Sequence, residues 1–130
     1  MRTIEFRGRD EKGEWHYGNL LADSCVDGKD AAFISPGFPV VLTAMIYRVD
    51  PATVGQFTGL TDKNGNDVYE GDILRYPLSG KTYQVVFKDG IFWGEGGNGC
   101  GASTHFFPSC EIIGNIYDNP EMIKKGGDHE

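Results

Sequence analysis

The residue types best suited to metal binding or nucleophilic chemistry gather near the C-terminus of this 130-residue chain. Cys100, His105 and Cys110 are equally spaced, and cysteine with histidine is a donor set that zinc prefers. A structural zinc site usually also has a fourth ligand and a short Cys-x₂₋₄-Cys clamp, and the spacing here offers neither. A cysteine nucleophile needs a neighbouring histidine or cation, which Cys110 and His105 could provide only across a hairpin. We therefore expect ordinary thiols and a surface histidine, with no metal and no catalytic residue.

The densest acidic group comprises Asp62, Asp67, Glu70 and Asp72. Paired carboxylates perform acid–base catalysis when they are held about 5 to 9 Å apart. However, Asp62 begins a turn and Asp67 follows one, and the Glu-Gly-Asp run resembles the bend that opens a strand in small barrels. Aspartates in such bends commonly accept hydrogen bonds from nearby main-chain amides. The pattern therefore favours a structural role for these carboxylates.

A glycine-rich segment, Gly94–Ser103, contains a run, Gly94–Gly101, that superficially resembles a phosphate-binding loop. Such loops need a glycine turn that feeds a helix N-terminus, usually with a lysine nearby. No Gly-Lys-Ser/Thr follows, Glu95 would repel phosphate, and the next segment, Thr104–Phe107, is predicted to be a strand. We expect a flexible loop and no bound cofactor.

The charge balance argues against a nucleic-acid partner. The chain has 12 Lys and Arg against 19 Asp and Glu, a formal charge of −7, whereas non-specific nucleic-acid binding depends on basic residues that release counterions. The alternative is a single-stranded nucleic-acid-binding small barrel, in which aromatic residues stack bases beside a basic groove. Only Arg75, Lys81 and Lys88 are placed to line such a face, so this alternative is the weaker one.

The cellular setting is predicted from what the sequence lacks. The N-terminus has no apolar signal region, and the longest apolar stretch, Val40–Tyr47, is too short to span a bilayer. An odd number of cysteines (Cys25, Cys100 and Cys110) without a signal peptide favours free thiols in a reducing compartment. We expect a cytoplasmic protein without a membrane segment.

Hydrophobic alternation and turn residues predict a mostly β fold. The 19 glycines, about twice the usual share, suit many turns between short strands. Asn64-Gly65 and Asp89-Gly90 predict two hairpins, and Asp50-Pro51 predicts one helical turn over residues 50–54. Residues 23–30 read as a loop, Val40–Tyr47 fits a strand better than a helix, and Gly114 is a plausible bulge. Predicted strands are Ile4–Phe6, Glu14–Tyr17, Ala32–Ile34, Gln56–Thr58, Asp67–Tyr69, Ile73–Tyr76, Thr82–Phe87, Ile91–Trp93, Thr104–Phe107 and Glu111–Tyr117.

These elements predict one domain over residues 1–130 with internal subdivision. Residues 1–50 form an N-terminal β lobe, residues 55–118 form an SH3-like small barrel, and residues 119–130 form a short helix and tail. Alternation along the hairpin of residues 83–93 places most of its aromatic side chains in the core. Each lobe alone lies near the size at which a hydrophobic core becomes marginal, so we expect the lobes not to fold separately.

Three blocks of sequence resemble the YopX family of phage and prophage proteins. They are Phe6-Arg7 with Trp15-His-Tyr-Gly18, the long block Val49–Gly65 followed by Val68–Ile73, and the closing block Glu111–Glu121. The resemblance implies a phage or prophage origin and a compact β-rich fold, but it supplies no reaction, catalytic residue or cofactor. Residues 25–46 and 94–110 match none of these blocks. We therefore expect a non-enzymatic accessory protein that forms homo-oligomers and contacts a host or phage protein.

Overall fold

A computed structural model of the protein describes residues 4–26, 29–36, 46–97 and 101–122, with only the backbone described for residues 22–26 and 29–30. The chain divides into two compact units, Met1–Phe57 and Thr58–Glu130.

The mostly β prediction is confirmed. The strands are β1 (Phe6–Arg9), β2 (Trp15–Val26), β3 (Lys29–Ser35), β4 (Tyr47–Val49), β5 (Gly55–Thr61), β6 (Asp67–Tyr69), β7 (Asp72–Arg75), β8 (Thr82–Lys88), β9 (Ile91–Glu95), β10 (Gly101–Ser103) and β11 (Glu111–Asn115). Short 3₁₀ helices cover Pro51–Thr53, Thr104–Ser109 and Pro120–Met122.

The first unit is an antiparallel sheet with the strand order β4-β3-β2-β1, and the beginning of β5 pairs with β1. The β1–β2 hairpin closes around a polar turn at residues 10–13, and its register places Arg9 opposite Trp15. A small core forms where Ala32, Ile34 and Val49 are buried. Phe6 and Leu20 pack against this core from the neighbouring strands.

The predicted loop over residues 23–30 is wrong, because β2 and β3 extend across most of it. Asp23 pairs with Ala31, and after an irregularity in register Val26 pairs with Lys29. The composition of this stretch is small and polar, which disfavours a strand in isolation. The apolar residues of β3 fix the pairing of its partner strand, and the ladder continues into residues of low strand propensity.

The predicted helical turn after Asp50 is confirmed. The Asp50 side chain accepts a hydrogen bond from the amide of Ala52 at 3.0 Å, with Pro51 at the first helical position. The buried Thr53 hydroxyl donates to the Asp50 carbonyl at 2.7 Å and accepts from the Arg9 amide at 2.9 Å. The turn is thereby attached to the end of β1.

The second unit contains the antiparallel sheet β10-β9-β8-β7-β11. Both predicted hairpins are present, β5–β6 around Asn64-Gly65 and β8–β9 around Asp89-Gly90. Asp89 and Gly90 have φ values of 54° and 85°, as a type I′ turn requires. The core of this unit is formed by Val68, Leu74, Val85, Phe107 and Cys110.

Several local predictions in this unit need correction. Thr104–Phe107 is not a strand but part of a 3₁₀ helix that contains Pro108 and buries Phe107 in the core. The glycine-rich segment is not wholly a loop, because Gly101 pairs with Glu95 and Ala102 with Gly94. Residues 98–100 lie outside the described part.

The closing strand ends earlier than predicted, at Asn115, because residues 116–118 form a turn. A shift in register between Ile112 and Gly114 confirms the bulge. The predicted C-terminal helix is a single 3₁₀ turn over Pro120–Met122, and residues 123–130 lie outside the described part. Most of the predicted strand Val40–Tyr47 also lies outside it. Within the described ranges, no helix has the length and apolar character needed to cross a membrane.

Candidate functional site

The thiol and imidazole singled out by the sequence occupy different environments. Cys110 is only 1% exposed and packs in the core of the second unit, and burial raises the pKa of its thiol. His105 is exposed and its ring contacts Phe106. A buried thiol with a raised pKa is a poor nucleophile. Cys100 lies outside the described residues, so its convergence with the other two is not tested.

Two members of the acidic group, Asp62 and Asp72, hold the backbone in place, whereas Asp67 is exposed and Glu70 is half-buried. Asp62 Oδ1 accepts from the amides of Asn64 and Asn66, both at 2.9 Å, and its Oδ2 accepts from the amide of Ile112 at 3.0 Å. Burial acts to raise the pKa of Asp62, but these main-chain donors outweigh it, and the pKa lies below its ordinary value. Asp72 is buried and accepts from the Tyr69 amide at 2.7 Å. Both aspartates have the turn-stabilising role predicted for them.

The basic residues proposed for a nucleic-acid-binding face are mostly engaged with acids. Arg75 Nη1 lies 2.9 Å from Glu111 Oε1, and Lys88 Nζ lies 3.6 Å from Glu95 Oε2. Lys81 is exposed. Two of the three cations are therefore matched by a neighbouring carboxylate, which weakens the potential that a phosphate backbone would meet.

Two apolar groups lie at the end of the β8–β9 hairpin, and we call them together the hairpin tip (Phe87, Ile91 and Phe92). Phe87 and its cross-strand partner Phe92 share one face of the hairpin, and Ile91 lies on the other. Phe87 is 51% exposed and Ile91 60% exposed. Phe87 lies directly opposite Phe92, and the two rings pack edge to face with centroids 4.9 Å apart. The sequence predicted that most aromatic side chains of this hairpin lie in the core, and Phe87 is an exception, because the hairpin extends beyond the buried layer formed by Val85.

A second feature is an open pocket of about 920 Å³ in the first unit, lined by the β1–β2 turn, β4 and the start of the 3₁₀ turn. We call it the turn pocket. Its lining includes Arg9, Lys12 and Arg48 among the cations, and Asp10, Glu11, Glu14 and Asp50 among the acids. With histidine neutral, the lining carries one more negative charge than positive.

Three potential ligands meet in the turn pocket. Asp10 Oδ1 accepts from the amides of Lys12 and Glu14, each at 2.9 Å, so the turn itself orients the carboxylate. Its Oδ2 lies 2.8 Å from His16 Nε2, and one donor atom from each of Asp10, Glu14 and His16 lies within 4.8 Å of the others. His16 stacks on Tyr47, with ring centroids 3.9 Å apart and an angle of 14° between the planes.

The electrostatics of this cluster favour an ionised carboxylate. The hydrogen bond from His16, followed by that from the Glu14 amide, lowers the pKa of Asp10 below its ordinary value, against the smaller effect of burial. Glu14 is exposed, whereas the side chains of Asp10 and His16 are 17% and 14% exposed.

Sequence reasoning missed this cluster. The signal available was the spacing Asp-x₃-Glu-x-His around a tight turn. In an antiparallel hairpin, alternate residues of one strand share a face, so Glu14 and His16 are placed together. The turn then returns Asp10 to the same end of the hairpin.

The similarity to known proteins extends over nearly the whole chain and is not confined to one site. The family model described as "YopX protein" matches residues 5–124. Among solved structures, the chain is similar to protein EF1440 from Enterococcus faecalis, with 25% identity, a TM-score of 0.60, and coverage of 95% of this chain and 100% of the other. No curated protein matches.

Proposed function

This chain belongs to the YopX family, and we propose that it is a non-enzymatic accessory protein of phage or prophage origin that acts through protein–protein contacts. The first of these contacts is with a second copy of itself. The observation that carries the proposal is the hairpin tip, where Phe87 and Ile91 are more than half exposed. Its cytoplasmic setting and the SH3-like barrel of the second unit are part of the same proposal.

The hairpin tip has the composition of an interface core. Single exposed apolar residues are ordinary on protein surfaces, but here three large apolar side chains occupy the two strands of one tight hairpin. Fully burying a Phe or Ile side chain stabilises a contact by about 1.5 to 3 kcal/mol. Aromatic residues are enriched, and charged residues depleted, at the centres of protein interfaces.

The charges beside the hairpin tip favour a second copy as the occupant. Lys88 pairs with Ile91 across the hairpin, and its ammonium lies 3.6 Å from the carboxylate of Glu95. A two-fold interface places one surface against itself. Lys88 and Glu95 lie on the same face of the hairpin as Ile91, so a positive and a negative side chain there are self-complementary, and Lys88 meets Glu95 of the partner subunit.

Support for a barrel comes from the strands of the second unit. Five short antiparallel strands lie in the order β10-β9-β8-β7-β11, and the bulge at Gly114 bends the edge strand β11. Bulges of this kind increase local twist and curvature in small barrels.

The proposal is tested by sedimentation equilibrium of the full chain over a wide concentration range. We expect reversible self-association that is lost in the variant Phe87→Ser/Ile91→Ser. Leu78→Ser is the matched control, because Leu78 is 86% exposed in the turn between β7 and β8, away from the tip. It should associate like the unaltered protein.

Charge-reversal variants distinguish a specific interface from non-specific hydrophobic association. Lys88→Glu and Glu95→Lys should each weaken association, and the double exchange should restore it. A chain that stays monomeric at every concentration, or association unaffected by the tip variant, would overturn the proposal. Binding of single-stranded DNA or RNA that weakens steeply with salt would support the alternative of a nucleic-acid-binding module.

A further inference from the structure

We infer that the turn pocket binds a divalent transition-metal ion through Asp10, Glu14 and His16. This inference is independent of self-association, because these residues lie in the first unit and the hairpin tip lies in the second.

The donor atoms are separated as ligands of one ion would be. Zinc binds imidazole nitrogen and carboxylate oxygen at about 2.0 to 2.2 Å, so two of its ligands at tetrahedral or octahedral angles lie roughly 3 Å apart. His16 Nε2 and Asp10 Oδ2 are 2.8 Å apart, and Glu14 lies within 4.8 Å of both. A small rotation of the exposed Glu14 side chain completes the triangle.

Two of the three ligands are already oriented by the protein. The amides of Lys12 and Glu14 hold Asp10 Oδ1 and leave Oδ2 directed at the imidazole. Stacking on Tyr47 fixes the plane of the His16 ring. Supporting contacts of this kind reduce the ordering that metal binding requires, and their loss commonly weakens metal affinity.

The pocket supplies room and a suitable charge. A volume of about 920 Å³ leaves space for water molecules to complete the coordination of an ion held by three protein ligands. The two ligand carboxylates, Asp10 and Glu14, place two negative charges at the site itself, which favours a cation over an anion. Imidazole with carboxylate is a donor set that suits zinc, iron and nickel better than magnesium or calcium.

Binding requires that one proton leave His16 Nε2. A metal ligand needs the lone pair of that nitrogen, so the ion takes the position between Nε2 and Oδ2 that a proton occupies in a hydrogen bond, and the proton is released to solvent.

The test is a titration of the metal-free full chain with Zn²⁺ by calorimetry, together with Co²⁺ titration followed by NMR of the histidine ring resonances. We expect one saturable site and selective shifting or broadening of the His16 signals. Glu14→Gln and Asp10→Asn should each weaken binding by at least about tenfold, as losses of ligands or of their supports do.

Glu11→Gln is the matched control, because Glu11 is exposed, lies in the same turn and lines the same pocket. It removes one negative charge without removing a ligand, so the affinity should stay within about twofold of the original for an exposed, screened charge. Equal weakening by Glu11→Gln and Glu14→Gln, no saturable binding, or perturbation confined to the other histidines or to the cysteines would overturn the inference.

Discussion

Asp62 shows how one side chain connects distant parts of the second unit. Its carboxylate accepts hydrogen bonds from two amides within its own hairpin and from the amide of Ile112 in β11. Asp62→Asn replaces one acceptor oxygen by an NH₂ group, which cannot accept from a buried amide. We expect a loss of roughly 1 to 3 kcal/mol in the free energy of unfolding, measured by urea denaturation at neutral pH.

The same aspartate predicts a pH dependence with a definite sign. The pKa of Asp62 is lowered from its ordinary 3.8 in the folded protein, so its carboxylate stabilises the fold fully above that value. This contribution is lost as the pH falls through the folded-state pKa. The stability gap between the unaltered protein and Asp62→Asn should therefore shrink in strong acid. Asp67→Asn, an exposed acid in the same hairpin, is the control and should show little gap at any pH.

The thiol of Cys110 should be unreactive towards alkylating reagents in the folded protein. It is 1% exposed, and burial raises the pKa of its thiol, so both access and thiolate formation are suppressed. We expect iodoacetamide to label Cys110 at least about tenfold more slowly in native buffer than in denaturant, as such burial implies. Peptide mass spectrometry reports the site directly. Rapid native labelling at Cys110 would contradict this.

At the scale of elements, β2 depends on one glycine for its approach to β3. Gly18 has φ +150°, and a Cβ atom there would collide with the main-chain oxygen of Ser35. Gly13 also has positive φ, +86°, but a Cβ atom there would meet nothing within 4 Å. Gly18→Ala should therefore destabilise the first unit more than Gly13→Ala, whose strain alone costs on the order of 1 kcal/mol. Urea denaturation and amide exchange across β2 and β3 measure the difference.

Turn chemistry explains which elements the sequence predicted well. Asp50-Pro51, Asn64-Gly65 and Asp89-Gly90 each restrict their own backbone, so the capped turn and the two hairpins can be derived locally. The strand over residues 23–26 and the 3₁₀ helix at Thr104–Ser109 depend on tertiary context instead of local composition. The first is held by pairing with β3, and the second buries Phe107 against Val68, Leu74 and Val85, which are distant in sequence.

The candidate sites were less predictable for a related reason. The exposed tip at Phe87 and the ligand cluster at His16 both depend on how far a hairpin extends and how its turn folds back. Alternation alone assigned Phe87 to the core, and the spacing of the cysteines says nothing of the hairpin geometry that joins Asp10 to His16.

At the scale of the whole molecule, β5 links the two units. Its first residues pair with β1 and belong to the first unit, and from Thr58 onward it belongs to the second, where it neighbours β6. Cutting the chain between Phe57 and Thr58 would divide this strand. The amide of Phe57, which donates to Glu5 at 2.7 Å, would then lie at a frayed end.

We therefore expect neither fragment, 1–57 or 58–130, to fold alone, since each also lies near the size at which a hydrophobic core becomes marginal. Circular dichroism and amide NMR of the separate fragments should show unfolded chains, and the full chain should unfold in one transition when followed by probes in both units. Amide NMR signals at the capped turn after Asp50 and at the hairpin held by Asp62 provide such probes, one on either side of the cut. A fragment with dispersed amide signals and a cooperative melting transition would contradict this dependence and establish two independent domains.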